Sequence, residues 1–539
     1  MAVTVTEQFV VAPLVVALLG VVLTLVLRRR PLVQRAASLG GTVAYAAAVG
    51  LLAWRVVLAP DAPGAAAYQL GGWPAPFGIT LVADALSAFM LVIAAAVGLA
   101  AVAASIRVVD RANQRVFYHP LFHGLLVGVT GSFLTGDLFN LFVWFEVMLL
   151  VSYVFVAFYG GPEHTAAAFR YLVLNVFGSA VFLLAVGGLY ATVGTLNMAD
   201  MVRRLSDPVA YGIDPAPVGG LTALLIGTFA LKAGLVPFQF WVPGAYRAAP
   251  LPVAAMLAGV TKKVGMYAIV RLFFTVFGNA EAGVDLPWIP GASPLALLAP
   301  LLLAMGIASI LVGGFGAVGG DTVDELLAYS SIGQVGFIAI PVAVAAATTS
   351  ASLRRFGILA ALVYALHHAL AKTLLFLSAA TIQGATGTNR LADLGGLAGR
   401  SPPLAGAFLV GSLSLIGVPP LTGFFGKLFV FEASIRRVVT TPGAGGMAGL
   451  AVLFLGALLT IAYTTRAWLG GFWGQAPPAV ERARIDPAQV AVLVALSAVV
   501  VGVGLGFDPV YRFADAAATA AVDGSAYVET VDPAGGDPV

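Results

Sequence analysis

Lysine deep inside apolar sequence is the feature that most restricts what this chain can become. From Ala230 to Arg271 the stretch ALKAGLVPFQFWVPGAYRAAPLPVAAMLAGVTKKVGMYAIVR places Lys232 late in an apolar run that includes Leu224, Leu225, Ile226 and Phe229. The run breaks at Pro237, turns through Pro243, Pro250 and Pro252, and re-enters apolar sequence carrying Lys262 and Lys263. A cationic side chain at the centre of a membrane helix costs about 2.5 to 3.5 kcal/mol, so such residues are rare, face protein or water, and mark ion pathways.

Sixty percent of the 539 residues are hydrophobic and 10% are charged, against about 25% charged in soluble globular proteins. The chain is therefore expected to be an all-α polytopic membrane protein. Its net charge of +3 is spread over short loops with no basic run, which argues against a nucleic-acid partner. Cysteine is absent, so disulfides, thiolate metal sites and iron–sulfur clusters are excluded within this chain, and no cofactor or metal is expected. Phe9 to Leu27 is long enough to span a bilayer and is followed, not preceded, by three arginines, which makes it a first span and not a cleaved signal peptide.

Only five of the 28 Lys and Arg residues are lysine: Lys232, Lys262, Lys263, Lys372 and Lys427. All five lie in or at the edge of apolar segments, while the loops use arginine. Arginine stays protonated, whereas an amine out of water can give up its proton. Codon bias would explain the arginine loops but not where the lysines sit.

Apolar runs of the about 20 residues a bilayer requires occur about fourteen times, with the fifth at 138–159, the seventh at 219–241, the eighth at 252–277, the eleventh at 355–384 and the twelfth at 403–434. Stretches 59–78 and 196–220 are Pro/Gly-rich connectors. After a last apolar run at 487–507 comes an Asp-rich tail (508–539) without periodicity, expected to be a mobile surface segment. Arginines after the odd-numbered spans, among them Arg28, Arg29, Arg30, Arg107, Arg111, Arg115, Arg247 and Arg466, place those loops in the cytoplasm and both termini outside. The seventh span carries KAGLVPF (232–238) and the twelfth GVPPLTGFFGK (417–427), with breaks at Pro237 and at Pro419 and Pro420. Paired, Pro-interrupted spans in two halves point to an inverted-repeat transporter.

Glu146 is the only acid within FNLFVWFEVMLLVSYVFVAFY, and at that depth it must be neutral or paired. Lys232 is its natural partner, as a switchable proton site or as a static pin between two helices. Lys263 is favoured as the inward lysine of the eighth span, with Lys262, about 100° away, either internal or snorkelling to the rim. His368 and Lys372 share a face at i, i+4 and could exchange a proton through water, whereas His367 is expected to be an ordinary core histidine. Lys427 would end the row, with Glu432 as its partner or as an end-of-helix charge. Asp137, Asp321, Asp324 and Glu325 are expected as caps and solvated rims.

The stretches LTGDLFNLFVWFEVMLLVSY (134–153), KAGLVPFQFWVPGAYRAAPLPVAAMLAGVTKKVGMYA (232–268), HALAKTLLFL (368–377) and SLIGVPPLTGFFGKLFVFEA (414–433) resemble the antiporter-like subunits shared by respiratory complex I, membrane-bound hydrogenases and Mrp-type multisubunit cation/proton antiporters. GGWPAPFGITLVADALSAFM (71–90) with GDLFNLFVWFE is most similar to the D-type members of Mrp Na+/H+ antiporters. The resemblance implies fourteen helices, divided into a three-helix segment (1–117), two inverted five-helix repeats, helices 4–8 (118–277) and 9–13 (293–469), and a last helix, with helices 7 and 12 broken. It implies a proton path through Glu146, Lys232, Lys263, His368, Lys372 and Lys427, and Tyr364 stands where relatives often carry a histidine. It further implies a secondary transporter component, not an enzyme, working with other membrane subunits in the cell membrane on protons and a monovalent cation such as Na+. The alternatives are a proton-pumping component coupled to a redox module, as in a complex I-like oxidoreductase or an energy-converting hydrogenase, and a non-conducting membrane scaffold.

Overall fold

A computed structural model describes residues 5–109, 117–280 and 293–532. Helices α1 (Val5–Val26) and α2 (Pro31–Ala53) lead to a hairpin of β1 (Ala65–Gln69) and β2 (Thr80–Asp84), then α3 (Ala85–Val108), α4 (His119–Leu134), α5 (Leu138–Val156), α6 (Gly161–Val193) and the short α7 (Met198–Ser206). After these come α8 (Ala216–Ala233), α9 (Trp241–Ala248), α10 (Leu251–Val276), α11 (Pro294–Gly319), α12 (Val323–Ala347) and α13 (Ala351–Thr386). The chain continues through α14 (Pro402–Ile416), α15 (Thr422–Thr440), α16 (Ala444–Gly471), α17 (Pro487–Leu505), α18 (Phe507–Val522) and α19 (Ser525–Val531). Among the described residues twelve helices are long and apolar enough to cross a membrane. The other two predicted spans are different: α4 has 16 residues, and the twelfth span is split between α14 and α15.

Lipid exposure is unevenly shared. The most apolar stretch of α10 is wholly buried and those of α12 and α13 are 94% buried, whereas α1 and α17 bury 33% and 22% of theirs. Two of these three buried helices, α10 and α13, carry Lys262, Lys263, His367, His368 and Lys372, so the outer helices shield the side chains that hydrocarbon would penalise most.

Both breaks are built alike. Gly234 (φ 65) closes α8 and Gly417 (φ 95) closes α14, in the left-handed conformation that glycine adopts without a Cβ penalty. Their N–H groups return to Ala230 and Leu231 and to Leu413 and Ser414, and a cis X-Pro bond follows in each, at Val236–Pro237 and Pro419–Pro420. The second half of the seventh span is α9, over residues expected to be a turn. Pro243 lies in its first turn, where a missing N–H breaks no helical bond.

Two segments correct the sequence expectations. The connector 59–78 and the start of the third apolar run (79–106) form the antiparallel hairpin, pairing Ala65 with Asp84 through Gln69 with Thr80. Every residue of β2 is buried, so its apolar run lacks the alternation that marks a half-exposed strand. The tail expected to be mobile is ordered as α18 and α19 through Val531: Ala514, Ala517, Ala518 and Ala521 line a buried helical face. Residues 533–539 of that tail, and Arg111 and Arg115 of the orientation argument, lie outside the described residues.

Hairpin, α10 and tail meet at a buried ion pair absent from the sequence expectations. Arg271 donates from Nη1 to Asp84 Oδ2 at 2.7 Å and from Nη2 to Asp84 Oδ1 at 2.6 Å, and its guanidinium lies 4.8 Å from the centre of the Tyr527 ring. Asp84 also caps α3, accepting from the Ser87 N–H at 2.9 Å. Burial pushes the Asp84 carboxyl up, but the charge and hydrogen bonds of Arg271 outweigh it and hold the group below the usual carboxylate range. Removing one partner of such a pair strands the other charge, at a cost of about 3–5 kcal/mol. Arg271→Gln is therefore expected to lower the thermal midpoint of the assembled protein clearly, as read by fluorescence-detected size exclusion. An unchanged midpoint would show that the pair does not hold hairpin, α10 and tail together.

Candidate functional site

The first group of polar residues joins α5, α6 and α8. Asp137 starts α5 by accepting from the Asn140 N–H at 2.7 Å, as expected of a cap. Glu146 then projects toward Lys232, with Nζ to Oε1 at 3.9 Å. The contact is not direct. Ser179 of α6 stands between them, its hydroxyl donating to Glu146 Oε1 and accepting from Lys232 Nζ at 3.1 Å. The amine also reaches the Asn175 carbonyl at 3.5 Å. Sequence reasoning missed Ser179, although Asn175 and Ser179 form an i, i+4 polar pair in an otherwise apolar span. The Glu146 side chain keeps 25% of its surface exposed against 1% for Lys232, so the acid is the accessible end of this group.

In α10 the backbone widens to π-type turns at Leu257–Thr261 and Arg271–Val276, on either side of the lysine pair. Such turns are rare and recur at functional sites. Lys263 donates to the Ala258 carbonyl at 3.1 Å and lies 2.9 Å from His368 Nδ1. Lys262 does not snorkel: with α10 enclosed by protein on all sides, it is fully buried and donates to the Ser331 carbonyl at 3.2 Å. A Cβ on Gly234 would lie 3.0 Å from Lys262 Cε, so the glycine of the first break also makes room for this lysine. A cavity of about 20 Å³ beside Lys263 and Tyr267 is large enough for one water.

On α13 the two members of the expected His/Lys pair have different partners. His368 faces Lys263 of α10, while Lys372 donates to the Leu327 carbonyl at 2.8 Å and to the Ser330 hydroxyl. Ser330 and Ser331 are neighbours, so amines from α10 and α13 converge on one turn of α12. His367 is hydrogen-bonded, as an ordinary core histidine would be, but its position is not ordinary. Its Nδ1 lies 3.2 Å from Ser414 Oγ and 3.5 Å from Thr422 Oγ1, on opposite sides of the second break. Lys427 donates to the Ile416 carbonyl at 2.9 Å, placing a cation on the C-terminal end of half-helix α14, where the helix dipole favours it. A Cβ on Gly417 would lie 3.0 Å from Lys427 Cδ, repeating the glycine–lysine contact of the first break. Glu432 pairs with Arg436. Tyr364 donates to Gln334, whose amide donates to Tyr463 at 3.0 Å.

The structure gathers these side chains into local groups: Glu146, Ser179 and Lys232 in one, Lys263 with His368 and Lys262 and Lys372 on one turn of α12 in another, and His367 and Lys427 at the second break. A separate buried group, unanticipated from sequence, lies among α1, α2 and α4. There Ser38 Oγ sits 3.0 Å from His119 Nδ1 and 3.3 Å from His123 Nε2, and the His123 ring fills the space over Gly20 and Gly41. No cluster of three metal-ligating side chains occurs among the described residues.

The family described as NADH:quinone oxidoreductase/Mrp antiporter, transmembrane, matches residues 135–442. The chain belongs to this family. It is 32% identical to the D-type subunit of the Na(+)/H(+) antiporter of Alkalihalophilus pseudofirmus, covering 92% of this chain and 94% of that one. It is 34% identical to the N-type subunit of the NADH-quinone oxidoreductase of Desulforudis audaxviator, over 81% of this chain and 83% of the relative. Among solved structures, a chain of the Mrp complex from Dietzia sp. DQ12-45-1b superposes with a TM-score of 0.80 at 28% identity, covering 98% of both chains. The matched region runs from just before Glu146 to just beyond Lys427 and so contains all five lysines.

A hydrogen bond to a charged group is worth about 1.5–3 kcal/mol, and 1.4 kcal/mol is about tenfold. Ser179→Ala is expected to slow proton-coupled transport about tenfold or more in vesicles containing the assembled complex, and Ser179→Thr to restore most of it. Full activity in the alanine variant would show that Glu146 and Lys232 communicate without the hydroxyl.

Proposed function

We propose that this chain is the proton-translocating subunit of a multisubunit cation/proton antiporter of the cell membrane, with Na+ the exchanged cation and both termini extracytoplasmic. The reading rests on one observation above others. The five lysines, on α8, α10, α13 and α15, are all buried, and each is held by a carbonyl, hydroxyl or imidazole partner. The kinship with a D-type component of an Na(+)/H(+) antiporter supports the same conclusion. The groups 118–277 and 293–469 are read as inverted repeats, each contributing one broken span.

In this mechanism Glu146 receives or releases a proton at its exposed edge. While it is ionised, Lys232 keeps its counter-charge through Ser179. Once Glu146 is neutral, an ammonium at Lys232 would be an unpaired charge out of water, and that cost drives its proton toward the next amines. The α10 lysines, His368 and Lys372 pass it on, and Lys427 is the last group before the far side. A helix-end carbonyl lets that amine be held charged or neutral in one place. Transport is thereby a series of short transfers among fixed groups, with no enzymatic chemistry on this chain.

A second reading keeps the channel but couples it to a redox module, and the similarity to an N-type component of an NADH-quinone oxidoreductase favours it. Co-purifying subunits separate the two, since iron–sulfur subunits would select the redox assembly and small membrane subunits the antiporter. A scaffold role is tested by Lys232→Ala in the reconstituted complex. We expect a loss of about 10²-fold or more in Na+-dependent dissipation of a pH gradient, the scale of a positioned proton-transfer group. Full retained activity would leave the scaffold role standing.

A further inference from the structure

At one membrane end α11, α12, α13, α15 and α16 leave a cavity of about 510 Å³ between them. Its lining is mostly apolar, with Leu303 and Ile340, includes Gly443 and Gly446, and carries Arg354 and Arg437 as its charged groups. The size and the mostly apolar lining with a few placed polar groups are those of a small-molecule site. No acidic residue lines it among the described residues.

The arginines show what is missing. They belong to two tandem pairs, and in each pair the other member has found a carboxylate: Arg355 lies 3.5 Å from Asp515, and Arg436 bonds Glu432. Arg354 and Arg437 turn to the cavity instead and are held by backbone partners. Arg354 Nη2 donates to the Thr348 carbonyl at 2.9 Å, and Arg437 Nη1 to the Thr441 carbonyl at 2.8 Å. The Arg354 Nε is buried with no hydrogen-bond partner. A guanidinium has five N–H donors in a planar fork suited to phosphate oxygens, so most of the donor capacity here is unspent. A free anion would satisfy the arginines but leave the apolar lining unexplained. An uncharged lipid would do the reverse.

We propose that the cavity binds one acidic phospholipid, its phosphate held by Arg354 and Arg437 and an acyl chain lying along the α11–α12–α16 lining. The proposal rests on the membrane-spanning fold and is independent of the transport mechanism, because none of these residues belongs to the groups that hold the five lysines.

The test is native mass spectrometry of the whole assembled complex in mild detergent, titrated with phosphatidylglycerol or phosphatidylcholine. Phosphatidylglycerol is expected to bind in preference, and the Arg354→Gln/Arg437→Gln double variant to bind it about tenfold more weakly, the loss of one charge-assisted contact or more. Gly443→Phe tests the cavity with both arginines intact. Gly443 lines the cavity, has φ −175, and its Cβ would meet nothing within 4 Å, so a side chain there is unstrained and has open space to fill; it too is expected to lose the bound lipid. Equal phosphatidylglycerol binding by the wild type and both variants would overturn the proposal. So would full competition by inorganic phosphate, which would leave only an anion site. Because the chain has no cysteine, Gly443→Cys gives a unique cross-linking handle, and efficient cross-linking to a neighbouring protein would overturn the lipid assignment in favour of a protein partner.

Discussion

The cost of holding an ammonium group out of water governs the architecture. Each lysine in the interior needs a partner that does not demand a second buried charge, and the fold supplies backbone carbonyls and hydroxyls for the purpose. Lys427 takes the Ile416 carbonyl at the end of a half-helix, Lys263 the Ala258 carbonyl in a π-type turn, and Lys262 and Lys372 one turn of α12. Only Lys232, among the described lysines, has a carboxylate, and even there a serine hydroxyl intervenes. Irregular backbone within the membrane is tolerated where it is enclosed by protein, and here the irregularities lie beside the amines.

That requirement explains the arrangement of layers. Helices α10, α12 and α13 carry the interior polar groups and are enclosed, and the apolar helices around them meet lipid with Leu, Val and Phe. The breaks at Gly234 and Gly417 do two things at once. They expose helix-end carbonyls, and by lacking a Cβ they admit the alkyl chains of Lys262 and Lys427. At one end of α10 the Asp84–Arg271 pair ties hairpin, helix and tail together. This pair, unlike the amines, is bidentate and closed against change, which suits a pin and not a relay.

Much of this is legible in the sequence. Long apolar runs announce the membrane fold, Gly and Pro place both breaks, and lysine confined to apolar segments names amines that are buried in the interior. What escapes depends on contacts that sequence spacing does not encode. Lys262 looks free to reach the rim because a helical-wheel angle says nothing about whether lipid or protein lies on that side. Ser179 is hidden because serine in a membrane helix often bonds its own backbone. The Asp84–Arg271 pair joins residues 187 positions apart, and β2 reads as helix because full burial removes the alternation that would have marked it. The alanines of α18 do carry a helical period, overshadowed by the acidic composition around them.

Proton transfer along the amines requires them to form one continuous, water-bridged path. A high-resolution experimental map of the assembled complex tests it most directly, by locating ordered water between Lys232 and Lys262, between His368 and Lys372, and between His367 and Lys427. Ordered water or direct hydrogen bonds are expected across each of these intervals. Apolar side chains filling any one of them in every conformational state, with no room for water, would contradict it.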